Sequence, residues 1–102
     1  MKKADWKVGS AEEFLGLTDD ESAFIEMKLA LARSLKERRT ASGLTQEELS
    51  KQLGSSQPRV AKMEAADSTV SIDLLVRSLL VLGVTRREVG RIIGRKAETP
   101  AA

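Results

Sequence analysis

Apolar positions along the chain recur at i, i+3 and i+4 spacing, and the alternation of β-branched with polar residues that marks strands is almost absent. This pattern predicts an all-α fold of five helices. Residues 1–17 hold Trp6, Val8, Phe14, Leu15 and Leu17 with no sustained period, and read as an N-terminal arm that needs a partner or the domain's own surface. Thr18 followed by Asp19, Asp20 and Glu21 is a capping box, in which hydroxyl and carboxylate satisfy amide donors at a helix start that also favours negative charge. From there Phe24, Ile25, Met27, Leu29, Leu31, Ala32 and Leu35 predict a broad apolar face, with Gly43 as the terminating residue. About 24 residues make a first helix of about 36 Å. That is longer than a compact five-helix core requires, so its first turns are expected to support the arm or a second chain.

Thr45 with Glu48 forms a second box, and Leu44, Leu49 and Leu53 lead to Gly54, bounding a second helix of about eight residues. Ser56 caps a third helix, with Pro58 in its first turn, where a missing N–H is tolerated, and an end near Ala65. Asp67, Ser68 and Thr69 read as a loop. Ser71 then caps a fourth helix, with Val70 and Leu75 as its hydrophobic staple, Ile72, Leu75, Leu79 and Leu82 facing inward, and Gly83 after it. Thr85 with Glu88 opens a fifth helix carrying Val89, Ile92 and Ile93 up to Gly94. The expected organisation is an arm (1–17), a helical domain (18–94) and a polar, frayed tail (95–102).

Composition narrows the chemistry. The 102 residues contain neither cysteine nor histidine, which removes the usual zinc sites, thiol nucleophiles, Ser/His/Asp triads and the general base of neutral pH. The Ser, Thr, Lys and carboxylate residues present form helix caps rather than a nucleophile–base pair, so no enzyme, cofactor or metal site is expected. No apolar run approaches a membrane span, and Asp5, Trp6 and Lys7 interrupt any secretory signal, so a cytoplasmic protein is expected. The net charge of +2 is a weak electrostatic case for nucleic acid. Any such affinity has to come from local placement of cations.

Two short helices around a tight glycine turn, residues 45–64, have the spacing of a helix-turn-helix, whose second helix fits a DNA major groove. The residues there, LTQEELSKQLGSSQPRVAKME from 44 to 64, resemble the Cro and phage-repressor (Xre) family. The likeness continues through LKERRTASG before it and SIDLLVRSLLVLGV after it, covering about residues 28 to 93. It implies a five-helix lambda repressor-like DNA-binding domain with an extended first helix, acting as a transcriptional repressor on double-stranded operator DNA.

By the same resemblance, Gln46 at the start of the second helix takes the place of a phosphate ligand, aided by the helix dipole. Ser56, Gln57, Pro58, Arg59 and Lys62 take the places of the DNA-reading face, while Val60 and Met63 point inward. Arg can bond guanine O6 and N7 together, Gln adenine N6 and N7, and Lys guanine or phosphate. Pro58 departs from the usual polar residue, leaving apolar contact with a thymine methyl. Arg39 and Glu64 match a pair that forms an internal salt bridge between first and third helices, a structural role. Arg38 stands where the family has an apolar core residue, so either the helix is rotated there or Arg38 meets a partner.

Residues 44–64 carry three cations and three anions, whereas the fifth helix, with Arg86, Arg87, Arg91 and Arg95, is the basic element. Those arginines serve either as a solvated face or as contacts to DNA backbone or an acidic partner. One copy reads only a few base pairs, which implies a homodimer on half-sites about 34 Å apart. Leu79, Leu80, Val81, Leu82, Val84, Ile92 and Ile93 either complete the core or supply the dimer seam. The compact domain with an arm and no sensor resembles HigA-type antitoxins, which bind a RelE-like toxin and repress their own operon. The alternatives are a prophage or restriction-control regulator without a toxin, and a protein-interaction module that has lost DNA binding.

Overall fold

The computed structural model describes residues 16–95, and within them the chain forms five α-helices: α1 (Asp19–Ala41), α2 (Gln46–Leu53), α3 (Gln57–Glu64), α4 (Ile72–Val81) and α5 (Arg86–Gly94). Most of the arm, residues 1–15, and the tail beyond Arg95 lie outside the described residues. Every helix starts at an expected hydroxyl. The side chains of Thr18, Thr45, Ser56, Ser71 and Thr85 accept from the amides of Glu21, Glu48, Arg59, Leu74 and Glu88, removing one orphan donor each. The boxes at α1 and α2 are complete. At α5 only the Thr85 half of the expected box forms, because the Glu88 carboxylate bonds the Arg38 guanidinium at 2.8 Å instead.

That pair also places Arg38. Its partner is within the chain, on α5. Both side chains are exposed, so the pair contributes at most about 1 kcal/mol.

The core is assembled around the C-terminal half of α1. Leu31 and Leu35 from α1, Leu49 from α2, Val60 and Met63 from α3, and Leu75 and Leu79 from α4 are wholly buried, and Val89 and Ile92 from α5 are nearly so. Each such side chain contributes about 1.5–3 kcal/mol relative to exposure. Helices α3, α4 and α5 all pack on α1, and α2 packs on α3 and α4. Val70 and Leu75 both lie in this core, as the staple requires.

The broad apolar face expected along α1 is only half covered. Phe24 is 54% exposed, Ile25 and Leu29 are exposed as well, and Met27 is half-buried. Core burial begins at Leu31, because the short helices α3 to α5 reach only the later turns. Lys28 marks the transition: its ammonium donates to the Asp67 carbonyl at 2.8 Å, tying α1 to the loop after α3. On α4 and α5 the two readings of the apolar residues divide. Leu79, Val84 and Ile92 are core, Leu82 and Ile93 pack against it, and Leu80 and Val81 remain exposed.

Candidate nucleic-acid interface

Helices α2 and α3 are joined through Gly54, Ser55 and Ser56, and the turn is tight because Gly54 takes a left-handed conformation, φ 66°. Ser56 has extended backbone, and its Oγ accepts the Arg59 amide at 3.3 Å. Its hydroxyl is thus engaged in starting α3. Pro58 sits in the first turn, where its missing N–H breaks no helix bond. Val60 and Met63 are wholly buried, which turns Gln57, Pro58, Arg59 and Lys62 to solvent, as the motif predicts. Among the described residues, Arg59 and Lys62 enter no ion pair.

Arg39 and Glu64 meet as expected. Arg39 Nε and Nη2 donate to Glu64 Oε2 and Oε1 at 2.6 and 3.1 Å, and Nη1 donates to the Leu44 carbonyl at 2.8 Å. One guanidinium therefore fixes the end of α1, the approach to α2 and the end of α3. The hydrogen bonds to Glu64 hold Arg39 above its ordinary pKa, against the opposing effect of partial burial. The pairing also alters the charge tally of residues 44–64. With Glu64 neutralised by Arg39 from outside the segment, three cations face two carboxylates there. One of those two, Glu48, caps its own helix.

Gln46 occupies the first position of α2, half-buried, with its side chain engaged at both ends. Its Nε2 donates to Glu64 Oε1 at 3.0 Å, and its Oε1 accepts from Gln57 Nε2 at 2.7 Å. The sequence reading placed Gln46 on a phosphate and Gln57 on a base without foreseeing that the two touch. The loop expected at Asp67, Ser68 and Thr69 also borders this face, which the sequence reading did not foresee. Thr69 and Val70 form the far wall of a shallow groove of about 410 Å³ whose near wall is Ser56, Pro58, Arg59 and Lys62. Asp67 shapes that loop, its Oδ1 accepting from the Thr69 amide and hydroxyl at 2.9 and 2.7 Å. Those bonds, first the hydroxyl and then the amide, hold the Asp67 carboxyl below its usual range, with Lys62 and Lys28 adding to the effect. An Asp two residues before a Thr is a local turn signal, and it was available in the sequence.

The basic residues Arg86, Arg87, Arg91 and Arg95 are exposed on or just after α5, which packs against α1 and α4. They are not among the residues lining the groove beside α3.

The two short helices, the glycine turn between them and the outward polar face of the second define a helix-turn-helix protein. A helix-turn-helix family model matches residues 35–93, more than half of the chain, and the chain belongs to that Xre and lambda repressor-like family of DNA-binding transcription regulators. The family is generally non-enzymatic. Comparison with curated proteins and with solved structures gave no significant match. Among the described residues, no helix is long and apolar enough to cross a membrane, and no cluster of His, Cys, Asp or Glu suits a metal ion.

Proposed function

We propose that the chain is a repressor that reads an operator with α3, placing Gln57, Arg59 and Lys62 on base edges and Gln46 on a phosphate. The observation that carries this reading is the division of α3 into a wholly buried side, Val60 and Met63, and an exposed side whose two cations have no ion-pair partner among the described residues. A guanidinium and an amide offer bidentate geometry to guanine and adenine respectively, and Lys62 supplies a mobile point charge. Pro58 contributes apolar contact, and Ser56 adds a backbone-side contact at the helix start. A homodimer supplies the second half-site.

Within that role the chain acts as the antitoxin of a toxin–antitoxin pair, autoregulating its operon. The supporting observation lies away from the DNA face. Phe24, Ile25 and Leu29 are exposed on the early turns of α1, beside Asp19, Asp20, Glu21 and Glu26. An apolar surface with an acidic rim suits a basic partner such as a RelE-like toxin.

The test is fluorescence anisotropy on a duplex from the chain's own upstream region across a salt titration. Specific binding is expected to weaken steeply with salt, and no binding at low salt overturns the repressor reading. Arg59→Ala is expected to cost about 1–3 kcal/mol of sequence preference without lowering thermal stability. Unchanged affinity and base preference sink that assignment. An adjoining gene for a short basic protein that co-purifies with the chain supports the antitoxin role, and the lack of such a neighbour argues for a regulator without a toxin.

A further inference from the structure

We infer that in the free protein the exposed apolar face on the first turns of α1 is the seat of the chain's own N-terminal segment, residues 2–8. The inference rests on neither the DNA-reading nor the antitoxin role. Phe24 and Ile25, with Leu17, Asp20 and Glu21, line a shallow recess of about 600 Å³ on that face. Leu29, four residues after Ile25, continues the face by one turn and is exposed as well. Leu17 belongs to the arm, so the chain already approaches α1 on this side. Just before it, Gly16 takes left-handed backbone, φ 72°, a conformation suited to a sharp change of direction.

The segment can reach the face. Ile25 and Leu29 lie about 12 and 18 Å along the helix axis from Leu17. The ten peptide links from Trp6 to Gly16 span about 15 Å if helical and at most about 36 Å if extended, which brackets both distances. What the segment carries also matches what the face offers. Trp6 and Val8 are apolar, and a tryptophan has about 150–250 Å² to bury. Lys2, Lys3 and Lys7 set three cations against one anion, Asp5, while Glu12 and Glu13 stand nearer Gly16. The face is rimmed by Asp19, Asp20, Glu21 and Glu26, and the cation beside it, Lys28, donates to the Asp67 carbonyl. This order of charges favours the lysine-bearing end of the arm on the rim.

The same rim disfavours a second copy of the chain. A two-fold contact through this face sets the four carboxylates of one copy against the same four of the other. A separate basic partner meets a tethered rival, because a short tether gives its segment an effective concentration in the millimolar range. Such a partner has to displace the arm, and its apparent affinity is scaled down by the fraction of chains whose face is open.

Trp6 is the one tryptophan in the chain, so its fluorescence reports this segment alone. In the full chain its emission is expected to be blue-shifted from that of the urea-unfolded chain and shielded from quenching by acrylamide. The double variant Phe24→Ser with Ile25→Ser alters two exposed positions outside the core, so helix content and the unfolding midpoint are expected to stay. Its emission is expected at the wavelength of the unfolded chain. NMR of the unaltered chain is expected to show cross-peaks from the Trp6 indole to the Phe24 ring and the Ile25 methyls, which decides the matter if the variant fails to fold. In a mixture of isotopically labelled and unlabelled chains, none of these cross-peaks is expected between copies. Unshifted emission in the full chain overturns the inference, and so does a blue shift that the folded double variant keeps. Cross-peaks between copies overturn it as well, by showing an exchanged arm. None of these results touches the repressor reading, which stands or falls on the DNA titration.

Discussion

Replacing Arg39 with methionine removes three donors at once. Glu64 loses the Nε and Nη2 bonds at 2.6 and 3.1 Å, and the Leu44 carbonyl loses Nη1 at 2.8 Å. The Gln46 amide at 3.0 Å is the one donor left to a carboxylate whose side chain is 4% exposed. Breaking one partner out of a buried pair costs about 3–5 kcal/mol. The Arg39 side chain is 13% exposed, which gives water a route to the stranded charge. The lower end of that range, about 3 kcal/mol, is the expected loss. For a domain of this size it lowers Tm by about 12–24 °C. Urea unfolding followed by circular dichroism measures it, with the midpoint falling and the slope m unchanged. The double replacement Arg39→Met with Glu64→Leu leaves no buried charge and is expected to recover most of the loss. A single-variant cost below about 1 kcal/mol, the value of an exposed pair, refutes the reasoning. A double variant no more stable than the single one refutes it equally.

Three further expectations follow from the local geometry. Asp67 and Asp20 accept hydrogen bonds from Thr69 and Thr18 that hold their carboxyls below the ordinary aspartate value of 3.8. A folded-state pKa below the unfolded one means that the stabilisation is present above the unfolded value and lost as pH falls through the folded one. NMR titration of the two carboxyls is expected to give midpoints below 3.8, and a midpoint at or above that value removes the effect. Gly54→Ala places a Cβ where nothing lies within 4 Å, so its cost is the left-handed backbone alone, about 1–2 kcal/mol by urea denaturation. Met63→Ala, at a wholly buried position of α3, is expected to cost about 2–5 kcal/mol, and a smaller loss means that the site collapses around the missing side chain.

The parts of this fold legible in the sequence are the local ones. A hydroxyl three residues before the amide that donates to it is a contact within one turn, and all five helix starts follow from it. Inward positions such as Val60, Met63, Leu75 and Leu79 also follow, since periodicity states which side of a helix is apolar. It does not state what lies against that side, and so Phe24, Ile25 and Leu29 belong to the expected apolar face of α1 while standing exposed. Glu88 shows the same limit for polar groups. Its spacing from Thr85 suits a box, but a guanidinium fifty residues earlier takes the carboxylate. In the candidate interface, the pattern placed Gln46, Gln57, Arg59 and Lys62 at the start or on the outward side of their helices. The bond from Gln46 to Glu64 joins residues 18 apart in sequence. That contact depends on how α2 and α3 meet, and neither helix alone encodes it.

The half-covered first helix divides α1 into two segments with separate opening equilibria. Amides from about Leu31 onward are released to solvent only when the core around Leu31 and Leu35 opens, so their exchange with deuterium reports global unfolding. The turns before Lys28 can fray without disturbing a single core side chain and exchange at a rate set by their own small stability. Any molecule that settles on Phe24, Ile25 and Leu29 slows that early exchange and leaves the later exchange almost unchanged. One continuous helix thus carries its own internal reference, against which occupancy of its first turns can be read.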